Sequence, residues 1–191
     1  MDAVGLIAGS GWASGLNLYA VTVILGMAGR FGWADVPEVL TRTDVLIAAA
    51  VLFFVEFAAD KIPYLDNVWD AIHTVVRPLG AAALGYVIAG ESGSIGEAAG
   101  AIVSGALALS AHSAKATTRA AVNTSPEPVS NLTLSVFEDV MASGLTVLAI
   151  AFPVVALVVA VVFAIGSVWL VVKFWGALRR MLRRRRVPTS T

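Results

Sequence analysis

Three stretches of the sequence hold most of the side chains able to do chemistry. In EFAADKIPYLDNVWDAIHTVVRP, residues 56–78, Glu56 and Asp60 stand four apart and so share one face of a helix. Pro63 ends that helix, Asp66 and Asp70 repeat the spacing on the next, and Lys61, His73 and Arg77 lie nearby. In AHSAKATTRAAVNTSPEPVSN, residues 111–131, His112, Lys115 and Arg119 fall on one cationic helical stripe before Pro126 and Pro128 break it. Glu138 and Asp139 follow at the opening of a further helix, where negative charge suits the helix N-terminus. Carboxylates and imidazoles on facing helices suit a hard cation or a proton relay. Glu56 and Asp60 are the best metal candidates, although no spacing here identifies a metal. Lys61, Arg77, Lys115 and Arg119 offer the mirror option, an anionic substrate. Seven acids (Glu56, Asp60, Asp66, Asp70, Glu127, Glu138, Asp139) against these four bases favour a cation or proton.

The same residues have a second reading as architecture. An ionisable group inside a membrane costs about 2.5 to 3.5 kcal/mol on the insertion scale and is usually paired or lines a wet path. Glu56 or Asp60 is therefore expected to pair with Lys115 or Arg119, with Arg77 the partner of Glu138 and Asp139, and such pairs fix geometry more than they stabilise. A third reading makes residues 56–78 a wet interfacial loop anchored by Tyr64 and Trp69. The opening GSGWASGLNLYA, residues 9–20, is ambiguous in its own way. Its small residues permit close helix packing, or they unwind a helix around Asn17 and expose backbone carbonyls to an ion. Ser110 and Ser113 flank His112, but neighbours at i±1 on a helix point apart, so no nucleophile and base are set up and no enzyme is expected.

These residues need elements to hold them, and the composition says which. Of 191 residues 58% are apolar and 14% charged, with a mean hydropathy of +0.84. Too little polar surface remains to coat a water-facing globule, so a soluble enzyme or a nucleic-acid-binding module is excluded. The chain has no cysteine, which removes disulfides, thiolate catalysis and iron–sulfur centres. The reading is an all-α polytopic membrane protein. Apolar segments run from Ala3 to about Gly29, Val45 to Ala59, Val75 to Ala89, Ile95 to Ala111, and Leu132 to Trp175, the last being two spans that turn near Pro153. That gives six helices, with five as the alternative. The first is read as retained, since no basic residue precedes it as in a signal peptide.

Net charge is zero, 13 against 13, yet six of the basic residues are Arg179, Arg180 and Arg183 to Arg186. They mark residues 179–191 as a basic cytoplasmic tail on a single transmembrane domain, residues 1–178, with affinity for anionic lipid. Two helix-loop-helix units, from Val45 to Ala89 and from Ile95 to Ile150, look alike. Glu56 in LFFVEFAADK occupies a place like that of His112 in LALSAHSAKA, and VWDAI at 68–72 resembles VFEDV at 136–140. Both units would run in the same direction, as in transporters built from parallel repeats; any two Ala/Val-rich hairpins share such a pattern as well.

The stretches GSGWASGLNLYA, EFAADKIPYLDNVWDAIHTVVRP, AHSAKATTRAAVNTSPEPVSN and SVFEDV, in that order, resemble the family of bacterial integral membrane proteins catalogued as domain of unknown function 4126. The resemblance covers roughly residues 5 to 155. It implies a membrane location and a single constellation of polar motifs, so that Asn123, Ser125, Glu127, Ser130 and Asn131 join the candidates; it brings no catalytic assignment. The functional expectation is a small multi-pass transporter or channel in a bacterial inner membrane, with its C-terminus cytoplasmic and no cofactor. Glu56 and Asp60 would bind the cation or proton. Asp66, Asp70, Glu138, Asp139 and Asn17 would complete a polar cavity, and His112, Lys115 and Arg119 would act as counter-charges. Homo-oligomeric assembly is expected on size alone. A structural or assembly subunit, or a protein that binds or moves anionic lipid, is the alternative.

Overall fold

Long apolar segments rich in Ala, Val and Leu, bounded by Gly, Pro and charged residues, form helices along almost the whole chain. The computed structural model describes residues 2–62, 65–122 and 128–184, and among them there are seven α-helices and no strand. They are α1 (Asp2–Arg30), α2 (Glu38–Thr41), α3 (Thr43–Ala59), α4 (Leu65–Ile88), α5 (Gly93–Val122), α6 (Pro128–Ala151) and α7 (Pro153–Arg184). Five of them, α1 and α4 to α7, are long and apolar enough to cross a membrane. At 17 residues α3 is shorter, yet Ile47, Val51, Phe54 and Val55 are all exposed along it. Exposed apolar surface on that scale, repeated along α7, suits a hydrocarbon surround.

The course of α1 departs from a simple span. Asn17 has an extended backbone (φ −151°, ψ 96°) inside an otherwise helical stretch of 29 residues. As a straight rod those residues would reach about 43 Å at 1.5 Å per residue. Instead Ala3 and Leu6, before the break, share one cavity with Trp33 to Glu38, after it. The same cavity is lined by Ile88 and Gly90 from the α4–α5 turn and by Ala151 and Pro153 from the α6–α7 turn. Both ends of α1 therefore lie at one face of the molecule, the hairpin face, and its tip at Asn17 is buried in the middle. From the hairpin face α3 runs to the opposite, tail face, α4 returns, α5 descends, α6 returns and α7 descends.

The arms of α1 are wedged between the other helices. The first arm, residues 2–16, lies against α5 and α6, where a Cβ on Gly15 would sit 2.2 Å from the Ala108 carbonyl oxygen and one on Gly9 2.7 Å from the Ala149 Cβ. Only glycine admits a backbone that close. The second arm, residues 18–30, lies against α4 and α3: Leu18 fills the space beside Gly80, and Leu46 lies beside Gly26. α4 and α5 pack along one another, with Gly85 against Gly100, whereas α3 scarcely touches α4 and α5 scarcely touches α6. α7 closes the outside of the first arm, Phe163 packing against Trp12 with ring centroids 4.9 Å apart and the planes tilted by 47°.

The all-α, multi-pass expectation stands. All six apolar segments are helical and the turn falls at Pro153, but the first segment enters and leaves by the same face, so five helices, α3 to α7, run from face to face. α4 begins at Leu65 and α5 continues to Val122, so both polar motifs are extensions of the membrane helices. This overturns the interfacial-loop reading: Asp66, Asp70 and His73 are helical and buried, and Trp69 stacks on His73 at 4.6 Å. The two units α3–α4 and α5–α6 do run in the same directions, as their sequence likeness suggested, but within each unit the helices are prised apart by an arm of α1. In GSGWASGLNLYA the glycines pack the arm and Asn17 breaks it, but the carbonyls freed at the break, expected to face an ion, are those of Gly15 and Leu16 and meet Arg77 and Lys115. Tyr64, Asn123, Ser125 and Glu127 lie outside the described residues.

Candidate functional site

A broken helix inside a protein leaves backbone groups to be satisfied on both sides of the break. At the end of the first arm the carbonyl oxygen of Gly15 accepts from Arg77 Nη1 at 3.3 Å and that of Leu16 accepts from Lys115 Nζ at 3.2 Å. Cations suit this position because the C-terminal end of a helix carries partial negative charge. At the start of the second arm Asn17 acts as the N-cap, its Oδ1 accepting from the Ala20 backbone N–H at 2.9 Å. The other side-chain atom, Nδ2, donates to Asp139 Oδ1 at 2.9 Å. One asparagine thus stops one helix, starts the next and ties both to α6.

Around this tip the helices turn their charged faces inward. On α4 the series Asp66, Asp70, His73, Arg77 is buried along one stripe, and on α5 His112, Lys115 and Arg119 are buried on another. Glu56 and Asp60 come from the end of α3 and Glu138 from α6, all buried. Arg77 is fully enclosed, with Nη2 2.9 Å from Glu56 Oε1 and Nη1 3.4 Å from Asp70 Oδ1. Asp60 Oδ2 lies 2.8 Å from Lys115 Nζ and 3.0 Å from Arg119 Nη2. Glu138 Oε2 lies 2.5 Å from Arg119 Nη2 and 3.3 Å from Lys115 Nζ, and Asp66 Oδ2 is 3.6 Å from Arg119 Nη1. The expected pairing of Asp60 with Lys115 and Arg119 is present. The expected pairing of Arg77 with Glu138 and Asp139 is not: Arg77 pairs with Glu56 and Asp70.

Hydrogen bonds fix the two histidines. Arg77 Nη1 donates to His112 Nδ1 at 2.8 Å, so that nitrogen carries a lone pair and the ring is neutral. His112 Nε2 then donates to Thr74 Oγ1 at 3.0 Å, and the hydroxyl donates on to the Asp70 carbonyl. His112 is thus an acceptor inside the network, in place of the counter-charge expected from its stripe. His73 donates from Nδ1 to the Trp69 carbonyl at 2.8 Å, which leaves Nε2 3.1 Å from the Tyr19 hydroxyl and 4.0 Å from Glu56 Oε2.

Among the described residues the network holds five buried carboxyl groups (Glu56, Asp60, Asp66, Asp70, Glu138) against three buried cations (Arg77, Lys115, Arg119), with Asp139 and Lys61 both half-buried beside them. Lys61 stays at the rim, donating to the Phe57 carbonyl at 2.9 Å and reaching Ser135 Oγ at 3.5 Å. Four of the carboxyl groups keep one buried oxygen with no hydrogen-bond partner: Glu56 Oε2, Asp60 Oδ1, Glu138 Oε1 and Asp139 Oδ2. Asn131, buried on α6, leaves both amide atoms without a partner. Among the described residues no three histidine or acidic side chains converge as a metal shell would require, and Glu56 and Asp60 are engaged by Arg77, Lys115 and Arg119 instead. Sequence reasoning missed Tyr19, Thr74 and Ser135. Each is a hydroxyl in or beside a motif already marked, four residues or fewer from Asn17, Asp70 and Glu138; Ser135 is buried, Tyr19 half-buried and Thr74 exposed.

Fold and site together define a polytopic all-α membrane protein with a re-entrant helical hairpin whose tip is held in a buried charge network. Within that class the chain belongs to the family described as domain of unknown function (DUF4126), which matches residues 4–173. Comparisons with curated proteins and with solved structures gave no match.

Proposed function

We propose that the protein moves a small cation or a proton across the membrane, through the network at the tip of α1. The observation that carries this reading is the excess of carboxyl groups over cations in a buried place. Five buried carboxylates, if all ionised, beside three buried cations would leave unbalanced negative charge in a medium that screens poorly, so positive charge has to be taken up there as protons or as a cation. Oxygens without partners on Glu56, Asp60, Glu138 and Asp139 are the acceptors for it. Arg77 and Lys115 hold the helix break that brings those oxygens together. In this reading the tail face is cytoplasmic, because Arg179 and Arg180 lie at the end of α7 and Lys61 and Arg119 lie toward that face. The basic end of α7, flanked by exposed Trp169 and Trp175, rests on anionic lipid of a bacterial plasma membrane at about 1 kcal/mol per basic side chain.

The test is flux into liposomes holding the purified protein, with a pH dye for protons and tracers for monovalent and divalent cations. Flux above that of protein-free liposomes is expected, lost in the Glu56→Gln, Asp60→Asn double variant. No flux for any of these ions from well-folded protein overturns the reading. One observation favours a structural role: each enclosed cation already has a carboxylate partner, and two of them also cap a helix end. Exchanging Asp60 and Lys115 separates the readings, since a swap that folds and still loses flux marks a site, while one that restores everything marks a clamp.

A further inference from the structure

Asp139 differs from the other carboxylates of the network. Among the described residues no cationic side chain lies within ion-pair distance of it; Asn17 Nδ2 bonds one oxygen and the other, Oδ2, has no hydrogen-bond partner. The Asp139 side chain forms part of the inner wall of a groove of about 580 Å³ between α3 and α6, with Oδ2 itself enclosed just behind that wall; Phe57, Val136, Val140, Ser143, Gly144 and Val147 line the rest. Phe57, Val136, Val140 and Val147 are also exposed, so the groove opens on the hydrocarbon side of the molecule. A Cβ on Gly144 would meet nothing within 4 Å, which leaves this wall open.

The place of the groove in the fold adds a second argument. When α3–α4 is set over α5–α6, the contact between α4 and α5 corresponds to the one between α6 and α3. The first is the most extensive helix contact in the molecule, closed by Gly85 against Gly100; at the second the helices stand apart. An arrangement that packs tightly on one side and leaves a gap over an unpaired carboxylate on the other has room for an occupant with two properties. Its body must be apolar, because a hydrated inorganic ion gains nothing from walls of Phe and Val facing lipid. Its charge must be positive, because the carboxylate behind those walls is in no ion pair: Lys61, whose charge bears on it, is held at the rim by the Phe57 carbonyl and Ser135.

We propose that the groove between α3 and α6 binds an organic cation with an apolar body, reached from the bilayer, its positive charge set against Asp139 beside the helix break. This goes beyond the transport reading, which concerns a proton or small cation within the network, and does not rest on it. Binding itself is independent of transport.

The experiment uses the full chain in lipid nanodiscs, with tritiated tetraphenylphosphonium as the probe and protein-free nanodiscs as background. Tetraphenylborate, of nearly the same shape and opposite charge, serves as competitor. Saturable binding is expected that unlabelled tetraphenylphosphonium displaces and tetraphenylborate does not. Asp139→Asn, which keeps the shape and removes the charge, and Gly144→Leu, which fills the groove from an exposed position, should each weaken binding at least tenfold. Equal binding in Asp139→Asn, or equal competition by tetraphenylborate, overturns the inference. Should Asp139→Asn fail to fold, the Gly144→Leu protein decides: undiminished binding there overturns it too. Proton or inorganic-cation flux without phosphonium binding removes this inference alone, whereas phosphonium binding without any flux supports it and counts against the transport reading.

Discussion

Asn17 does three structural jobs with one side chain: it caps one arm, ends the other and fixes Asp139. Asn17→Ala should lower stability by about 1 to 3 kcal/mol, the sum of a lost N-cap and of a half-buried carboxylate left without its donor. Denaturant unfolding in detergent micelles reads this directly, and a loss within error would mean that the break is held by the cations alone. Lys115→Met removes the donor to the Leu16 carbonyl and strips Asp60 and Glu138 of a shared partner. Its expected cost is about 3 to 5 kcal/mol, as for other buried pairs broken on one side. Pairing of this kind was legible in the sequence for Asp60 with Lys115 and Arg119, since helical spacing put each set on a single face. The partner of Arg77 and the neutral state of His112 were not legible. Both depend on distances between helices, and a stripe of basic residues reads the same whether its imidazole donates or accepts.

At the scale of elements, small residues decide where backbones meet. Gly15→Ala places a methyl group 2.2 Å from a carbonyl oxygen of α5, while Gly144→Ala places one in open space. The first should lower the thermal midpoint in micelles by several degrees and the second should leave it unchanged; equal midpoints would contradict the close seating of the first arm. The apolar segments and the turn at Pro153 could be read from hydropathy because each is a property of its own residues. Where the polar motifs sat could not: hydropathy falls where α4 and α5 become charged, yet the helices continue, their acidic and basic faces satisfied by one another. The same compensation is why a segment that scans as an interfacial loop is buried.

For the whole molecule the decisive matter is direction, which length and composition do not encode. Residues 3–30 are long and apolar enough for a straight crossing, and only the extended backbone at Asn17 turns them back. The chain has no cysteine, so single cysteines can be introduced cleanly. Val4→Cys and Trp33→Cys, both at exposed positions, should react with a membrane-impermeant maleimide from the same side, and Met181→Cys from the other. Labelling of residues 4 and 33 from opposite sides would restore a straight first span and six crossings. The re-entrant course also sets an order in time. When Gly15, Leu16 and Asn17 leave the ribosome, their partners Arg77, Lys115 and Asp139 are 62, 99 and 122 residues further along. At roughly 5 to 20 residues per second the last of them follows roughly 6 to 24 s later. During that interval the freed carbonyls and the asparagine amide have none of their native partners, while the segment has the length and apolarity of an ordinary transmembrane helix. The hairpin is therefore among the last features of the fold to be completed, although its residues are made before those of every partner that holds it.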